Sequence, residues 1–356
     1  MKKIIILIVV FLFVGIGFQP VFANENNITI GIVEQSSISM NNNTLYVGGY
    51  GPDNYTKIQD AINSASDGDT VFVFSYSSPY YESIEIDKSI NLIGGGQKST
   101  IIDGIGNTNV IYVSAGQVNI SRFTIKNGYY GIHIKGKNGN KIINNIVRLN
   151  NYGIYIIDSR DNDVIGNTIC SNNVKGLILT KTKIPLYESY DNSPDNNIIR
   201  GNNIYNNGNA GITLQFSDSN TISSNCILDI NYGIKIEGSS YNTIYSNNIN
   251  QNNIIGICID FYFDGVLTIS SNQNKIFKNN ILKNEQDAYF IDILLGNIIF
   301  RRNIWIQNYW NSSKLIIKFI FGILSFSDFS FRWFNIDWDP ATEPYDITTE
   351  QGCGLE

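Results

Sequence analysis

The sequence predicts an all-β protein, a single-stranded right-handed parallel β-helix of about 22-residue coils. A short N-terminal helix and an aromatic C-terminal segment are expected to cap it. Three observations lead to this fold. Strands of the form Gly-apolar-x-apolar begin at Gly131, Gly153, Gly176, Gly211, Gly233 and Gly256, with Ala288 in the same role, at intervals of 22, 23, 35, 22, 23 and 32 residues. A column of asparagines, Asn140, Asn162, Asn197, Asn220, Asn242, Asn274 and Asn297, keeps nearly the same rhythm, and Asn144, Asn167, Asn202, Asn225, Asn247 and Asn279 form a second. Apolar residues also alternate in short pieces interrupted by Asn, Ser or Gly, a strand signal too often broken for helices. A repeat near 22 residues with two long intervals is a solenoid with two insertions. Stacked coils, roughly 4.8 Å apart, would place the isoleucines inside and the asparagines at corners, where Asn and Gly tolerate left-handed backbone.

In chain order, residues 1–23 read as a secretory signal, with Lys2 and Lys3 before the apolar run Ile4–Phe18 and a Val21-Phe22-Ala23 cleavage site. If uncleaved, this run would be an N-terminal anchor and the chain's sole link to a membrane. The body is then extracytoplasmic, secreted or on the cell surface. Residues 24–69 form a lead-in and cap. Within them Ile58, Ala61, Ile62 and Ala65 share one face of a helix spanning Thr56–Ala65. Such a helix would shield the open edge of the first coil. The β-helix itself is expected over residues 70–309 and its capping tail over 310–356. All four tryptophans, Trp305, Trp310, Trp333 and Trp338, lie near that end.

The long intervals mark two insertions, Lys181–Pro194 and Phe261–Ser271, leaving the coil at the same corner. They would stand as two aromatic walls, Tyr187 and Tyr190 on one and Phe261 with Tyr262 and Phe263 on the other, with the coils between them as floor. A net charge of −6 argues against a nucleic-acid partner and is compatible with a polysaccharide, a cell-envelope component or cations. Five sequons, at Asn27, Asn42, Asn54, Asn119 and Asn311, permit glycosylation. Cys170 and Cys226 fall two coils apart, too far for a disulfide, so Cys353 would have to supply any bridge.

On each Gly-apolar-x-apolar strand the two apolar residues face inward, and the residue between and the one after face outward. One outward column is then His133, Tyr155, Ile178, Thr213, Lys235, Cys258 and Phe290. The other is Lys135, Ile157, Thr180, Gln215, Glu237, Asp260 and Asp292. Glu237, Asp260 and Asp292 would stand on successive coils. Two such carboxyl groups suit a retaining glycosidase and three could hold Ca²⁺. Lys235 would serve as base or substrate clamp, and Gln215 as a further ligand contact. His133 is the sole histidine and has no partner identifiable from sequence.

The unit Asn242–Ile259, Asn-x-Ile repeated and followed by Gly-Ile-x-Ile, resembles the NosD-like parallel β-helix repeats of the pectin-lyase-like superfamily. Tyr55–Ile62 followed by Gly68–Val71 resembles the entry of such folds. Ile336–Pro340 with Glu343–Ile347 is similar to the tail of archaeal surface members. The resemblance implies a secreted or surface β-helix. Its namesake group implies a periplasmic accessory role in copper maturation, for which one His and two Met are a poor ligand set. Polygalacturonase motifs are not matched: Asn107-Thr108-Asn109 and His133 with Lys135 stand where other residues would be needed. The leading expectation is therefore carbohydrate or envelope binding without catalysis. A polysaccharide lyase or glycoside hydrolase using the acidic strip is the alternative, and a structural or adhesion role the third.

Overall fold

The structure, a computed structural model, describes residues 43–106, 108–182, 195–263, 268–293, 303–310, 317–326 and 329–347. The expected signal segment, Tyr187, Tyr190 and Cys353 lie outside these residues. A coil consists of one six-residue strand and two three-residue strands, as in Tyr130–Lys135, Lys141–Ile143 and Ile146–Arg148. Each strand pairs in parallel with its equivalent one coil on, for example Ile132 with Ile154, Ile142 with Val164 and Val147 with Ile169. Three faces result: a broad face of long strands, a second face and a third face. The fold is the right-handed parallel β-helix.

The core follows from the alternation. Ile132, Ile154, Leu177, Ile212, Ile234 and Ile257 stack in register on the broad face and are fully buried. The second face contributes Ile142, Ile222 and Ile244, the third Ile169, Ile227 and Ile249, all without exposure. Burying such a side chain stabilises the fold by about 1.5–3 kcal/mol. Glycine recurs before the inward pair because a Cβ on Gly153 would lie 2.4 Å from the carbonyl of Gly176 on the next coil.

Three corners carry asparagine ladders rather than two. The first runs from Asn140 through Asn162, Asn197, Asn220, Asn242 and Asn274 to Asn303, whereas the expected Asn297 lies outside the described residues. The second starts at Asn145, not Asn144, and passes through Asn167, Asn202, Asn225, Asn247 and Asn279 to Asn308. Asn144 is the corner residue itself, at φ +54°. A third ladder links Asn150, Asn172 and Asn207, breaks at Ile230 and resumes from Asn252 to Asn284. Every rung has the same polarity: backbone N–H and Nδ2 donate to the Oδ1 one coil further on. Among the described residues, the one preceding each rung is left-handed even where it is Leu149, Tyr241 or Lys278. Such backbone is unfavourable for these residues and is held by the surrounding hydrogen bonds.

The helix forms at Ile58–Ser64, burying Ile58, Ala61 and Ile62. The Glu82 carboxylate accepts the first two helical N–H groups, at 2.9 and 3.1 Å. The β-helix begins one strand earlier than expected, because Thr44–Val47 pairs in parallel with Thr70–Val73 ahead of the helix. At the other end, Lys318–Phe326 pairs with the last broad-face strand, Gln286–Ile293, and Phe329–Asp337 reaches the second face at Trp305. These two strands then pair antiparallel with each other. Trp305 and Trp310 fill the last layer of core, 6.0 Å apart, whereas Trp338 is 66% exposed. Among the described residues, no helix is long and apolar enough to cross a membrane.

Candidate functional site

The broad face places outward side chains in three columns. Tyr130, Tyr152, Lys175, Ala210, Tyr232 and Ile255 are register partners in the first. The second is His133, Tyr155, Ile178, Thr213, Lys235 and Cys258, followed by Tyr289. In the third, Thr180, Gln215, Glu237 and Asp260 succeed one another. Asp292 does not continue that column. Ile259 pairs with Phe290, so the position after Asp260 falls to Ile291 and the predicted row of three carboxylates is a pair. Ala288 stands opposite Ile257 rather than Gly256, which shifts the register by one. Phe290 is therefore a buried core residue and not part of the outward column.

Lys235 and Glu237 meet directly as an ion pair, with the Lys235 ammonium 5.6 Å from the ring centre of Tyr232. Gln215 donates Nε2 to the other Glu237 oxygen at 3.4 Å, and its own Oε1 accepts from Thr180 at 3.5 Å. Asp260 accepts the backbone N–H of Phe261 at 2.8 Å, which ties the acidic column to the root of the second insertion. Burial raises the Asp260 pKa against the lowering effects of that hydrogen bond and of Lys235, with Glu237 adding to the rise. For Lys235, burial alone would lower the pKa, but Glu237, Cys258 and Asp260 together carry it above its usual value. The Cys258 thiol is pushed up to about 12 by burial and by Asp260, so it is not a nucleophile at neutral pH.

Two features escaped the sequence reading. Lys175 lies one coil from Tyr152, and burial lowers its pKa, with Glu237 opposing and Lys235 adding to the shift. Thr213 is fully buried, and its hydroxyl has no hydrogen-bond partner among the described residues. The second feature is an aromatic cluster. Tyr130 has ring neighbours in Tyr129 and Tyr155 at 4.7 Å, His133 at 4.8 Å and Tyr152 at 5.3 Å. His133 is not alone, since its Nδ1 lies 3.2 Å from Asn109 Oδ1 and the Tyr112 ring is 5.2 Å away. Burial and the charge of Lys135 lower its pKa to about 4. The signal was present in the repeated Tyr before Gly131, Gly153 and Gly233.

Of the predicted walls, the second begins with Tyr262, whose ring meets Phe216 edge-on at 4.6 Å, within a short antiparallel pair of Tyr262–Phe263 with Thr268–Ile269. The first is pinned at its root. Lys181 pairs with Asp195 at 3.1 Å, and Asp195 also accepts from Ser217 and the backbone of Asp218.

A repeat-built rod with one polar, aromatic-lined broad face defines a solenoid of the pectin-lyase-like kind. The chain matches the family described as periplasmic copper-binding protein (NosD) over residues 62–185 and 186–321, and it belongs to that family. The pectate lyase Pel9A shares the fold at 14% identity, with a TM-score of 0.53 over 76% of this chain and 80% of that one. The A-module of the Azotobacter vinelandii mannuronan C-5 epimerase AlgE6 is also similar at 14% identity, with a TM-score of 0.47 over 72% and 89% of the two chains. None of the curated proteins matches the chain.

The family description raises copper, and the described residues do not fit it. Copper draws on imidazole, thiolate and thioether donors. His133 is the sole histidine, its Nδ1 faces Asn109 and its Nε2 is buried among rings. Cys170 pairs with Tyr205 and Cys226 with Asn203, so the two cysteines occupy different columns two strands apart. Among the described residues no group of three or more His, Cys, Asp or Glu is placed to hold a metal.

Proposed function

We propose that this chain is an extracytoplasmic β-helix protein that binds an extended polysaccharide along its broad face, without catalysis. The observation that carries the reading is the continuity of that face. The ring cluster around Tyr130 leads through Lys175 to Gln215, Lys235, Glu237 and Asp260 on adjoining coils. Rings stack on the apolar faces of sugars, while charged and amide groups grip hydroxyl and carboxyl substituents. The coil repeat spaces these contacts along one axis, as a linear polymer needs. Membership in a family described as periplasmic supports the location, and the pectate lyase fold neighbour supports a polysaccharide ligand.

Enzymatic action is the second reading, favoured by the Lys235–Glu237 ion pair one coil from Asp260, whose pKa burial raises, an acid and base on adjacent coils that suit proton transfer. A glycan array probed with the chain lacking residues 1–23, with and without Ca²⁺, separates the readings. Binding that disappears in Tyr130→Ala and Lys175→Ala, with the bound glycan recovered intact, is the expected result. Shortening of the glycan would transfer the function to the enzyme reading. Failure to retain any glycan would remove both.

A further inference from the structure

The N-terminal end of the second face carries a pocket of about 270 Å³ that the proposed site does not use. Its inner lining comes from the first two strands. Tyr46, on Thr44–Val47, faces outward beside its register partner Phe72, and Phe74 follows two residues further on. The Tyr46 ring stacks with Phe74 at 5.8 Å, and Phe72 meets Phe74 edge-on at 5.1 Å. Tyr50 and Tyr76 complete the pocket from two separate loops. Their rings approach to 5.9 Å although they are 92% and 76% exposed.

The backbone that presents these rings is anchored. Gly48 and Gly49 are both left-handed, at φ +72° and +73°, a conformation that glycine adopts without strain. Gly48 N–H donates to the Tyr55 carbonyl at 2.7 Å. Gly49 N–H donates to Ser77 Oγ at 3.1 Å, which ties the Tyr50 loop to the Tyr76 loop. Asn54 Nδ2 donates to the Gly48 carbonyl at 2.6 Å, and the Tyr80 hydroxyl donates to the Phe74 carbonyl at 2.6 Å. Two solvent-exposed tyrosines therefore sit on loops whose geometry is set before any ligand arrives.

We propose that this pocket binds a quaternary ammonium group, the trimethylammonium head of a choline- or betaine-like ligand. Four aromatic rings line it, with almost no polar surface among them. A sugar hydroxyl, a peptide N–H or a primary ammonium would enter it with hydrogen-bonding groups left unpaired. A quaternary ammonium has no N–H to satisfy, and the electron-rich faces of rings within about 6 Å attract its charge. The local charges agree. Among the described residues no basic side chain lines the pocket. The exposed Asp53 lies in the Tyr50 loop, between Gly51 and Asn54 of the pocket wall, whereas Lys57 belongs to the start of the helix.

The test is to titrate choline into the intact chain, reading binding from saturation transferred from the protein's rings to the methyl protons of the ligand. Saturable binding is expected, about fivefold or more tighter than that of the alcohol in which a tert-butyl group replaces the trimethylammonium. That alcohol has the same shape without the charge. Tyr50→Leu and Tyr76→Leu keep apolar bulk at exposed positions, where the fold does not depend on them. Each should weaken choline binding about fivefold or more, while Tyr76→Phe keeps a ring face and should bind as the parent does. Equal affinity for choline and the alcohol, unchanged affinity in either leucine variant, or no saturable binding of choline would overturn the proposal. These outcomes do not depend on glycan binding at the broad face.

Discussion

Asn308 donates both its backbone N–H and its Nδ2 to a single carboxylate oxygen of Asp337, each at 3.0 Å, and that oxygen ends the ladder that starts at Asn145. Trp310 Nε1 donates to the same oxygen at 3.0 Å. A ladder of uniform polarity arrives at its last rung with donors only. A carboxylate, which accepts and never donates, is the group that can terminate it.

Asp337→Ala removes the acceptor of three buried N–H bonds, leaving the Asn308 backbone N–H and Trp310 Nε1 unpaired while Asn308 Nδ2 keeps its bond to Ile276. At about 1–3 kcal/mol each, the chain should lose several kcal/mol, read as the denaturant midpoint. Asp337→Asn keeps one acceptor oxygen and should cost clearly less. Equal losses would show that the acceptor at this corner is not what ends the ladder.

Asn225 lies in mid-ladder, fully buried, with Nδ2 donating to Ile199 and Asn247 and Oδ1 receiving from Asn202. Asn225→Ala should destabilise the fold by about 2–4 kcal/mol, more than a solvent-facing substitution on the next coil such as Tyr241→Ala. A loss below about 1 kcal/mol would mean that the rungs are replaceable by water.

His133 provides a direct electrostatic test, because it is the sole histidine and gives one imidazole resonance. With a folded pKa lowered to about 4, it should stay neutral well below pH 6 in an NMR titration. The sign for stability follows: the unfolded chain takes up this proton first, near its ordinary value of about 6.5. The stability His133 contributes is therefore full above that pH and declines as pH falls toward 4. His133→Gln should remove that slope. A titration midpoint near 6.5 in the folded chain would contradict the buried ring cluster.

Asp260 behaves in the opposite sense. Its pKa is raised by burial, so ionisation penalises the folded state as pH rises through the ordinary carboxylate range. Asp260→Asn keeps an oxygen for the Phe261 N–H and should stabilise the chain at neutral pH. The gain should fade once the solution is acidic enough to protonate Asp260 in both states. If the substitution destabilised the chain at pH 7, the attraction of Lys235 would be the stronger influence.

Much of this architecture was legible from residue spacing. The inward isoleucine rows, the helix at Ile58–Ser64 and the neighbouring placement of Lys235, Glu237 and Asp260 all follow from alternation and period. The errors arose where the period is disturbed. After the second insertion Ala288 mimics a glycine, yet Ala288 and Phe290 are the inward pair, and Asp292 consequently leaves the acidic column. At the corners, adjacent asparagines such as Asn144 and Asn145 differ in role through backbone conformation, which the letters do not encode. Lys175 and Thr213 were hidden for another reason. Their significance lies in burial on an outward position, which depends on what packs over them rather than on their own repeat unit.

The antiparallel pairing of Lys318–Phe326 with Phe329–Asp337 has a consequence for the molecule's length. A stack of parallel coils is an open template, and a second copy could add its first coil to the last one to make a fibre. Here each of these two strands has one edge on the preceding coil and the other on its antiparallel partner, while Tyr309 is met by Ala341. The three faces are zipped shut against one another. The rod has a built-in stop, and a protein made of self-complementary repeats can be held at high local concentration without polymerising through this end.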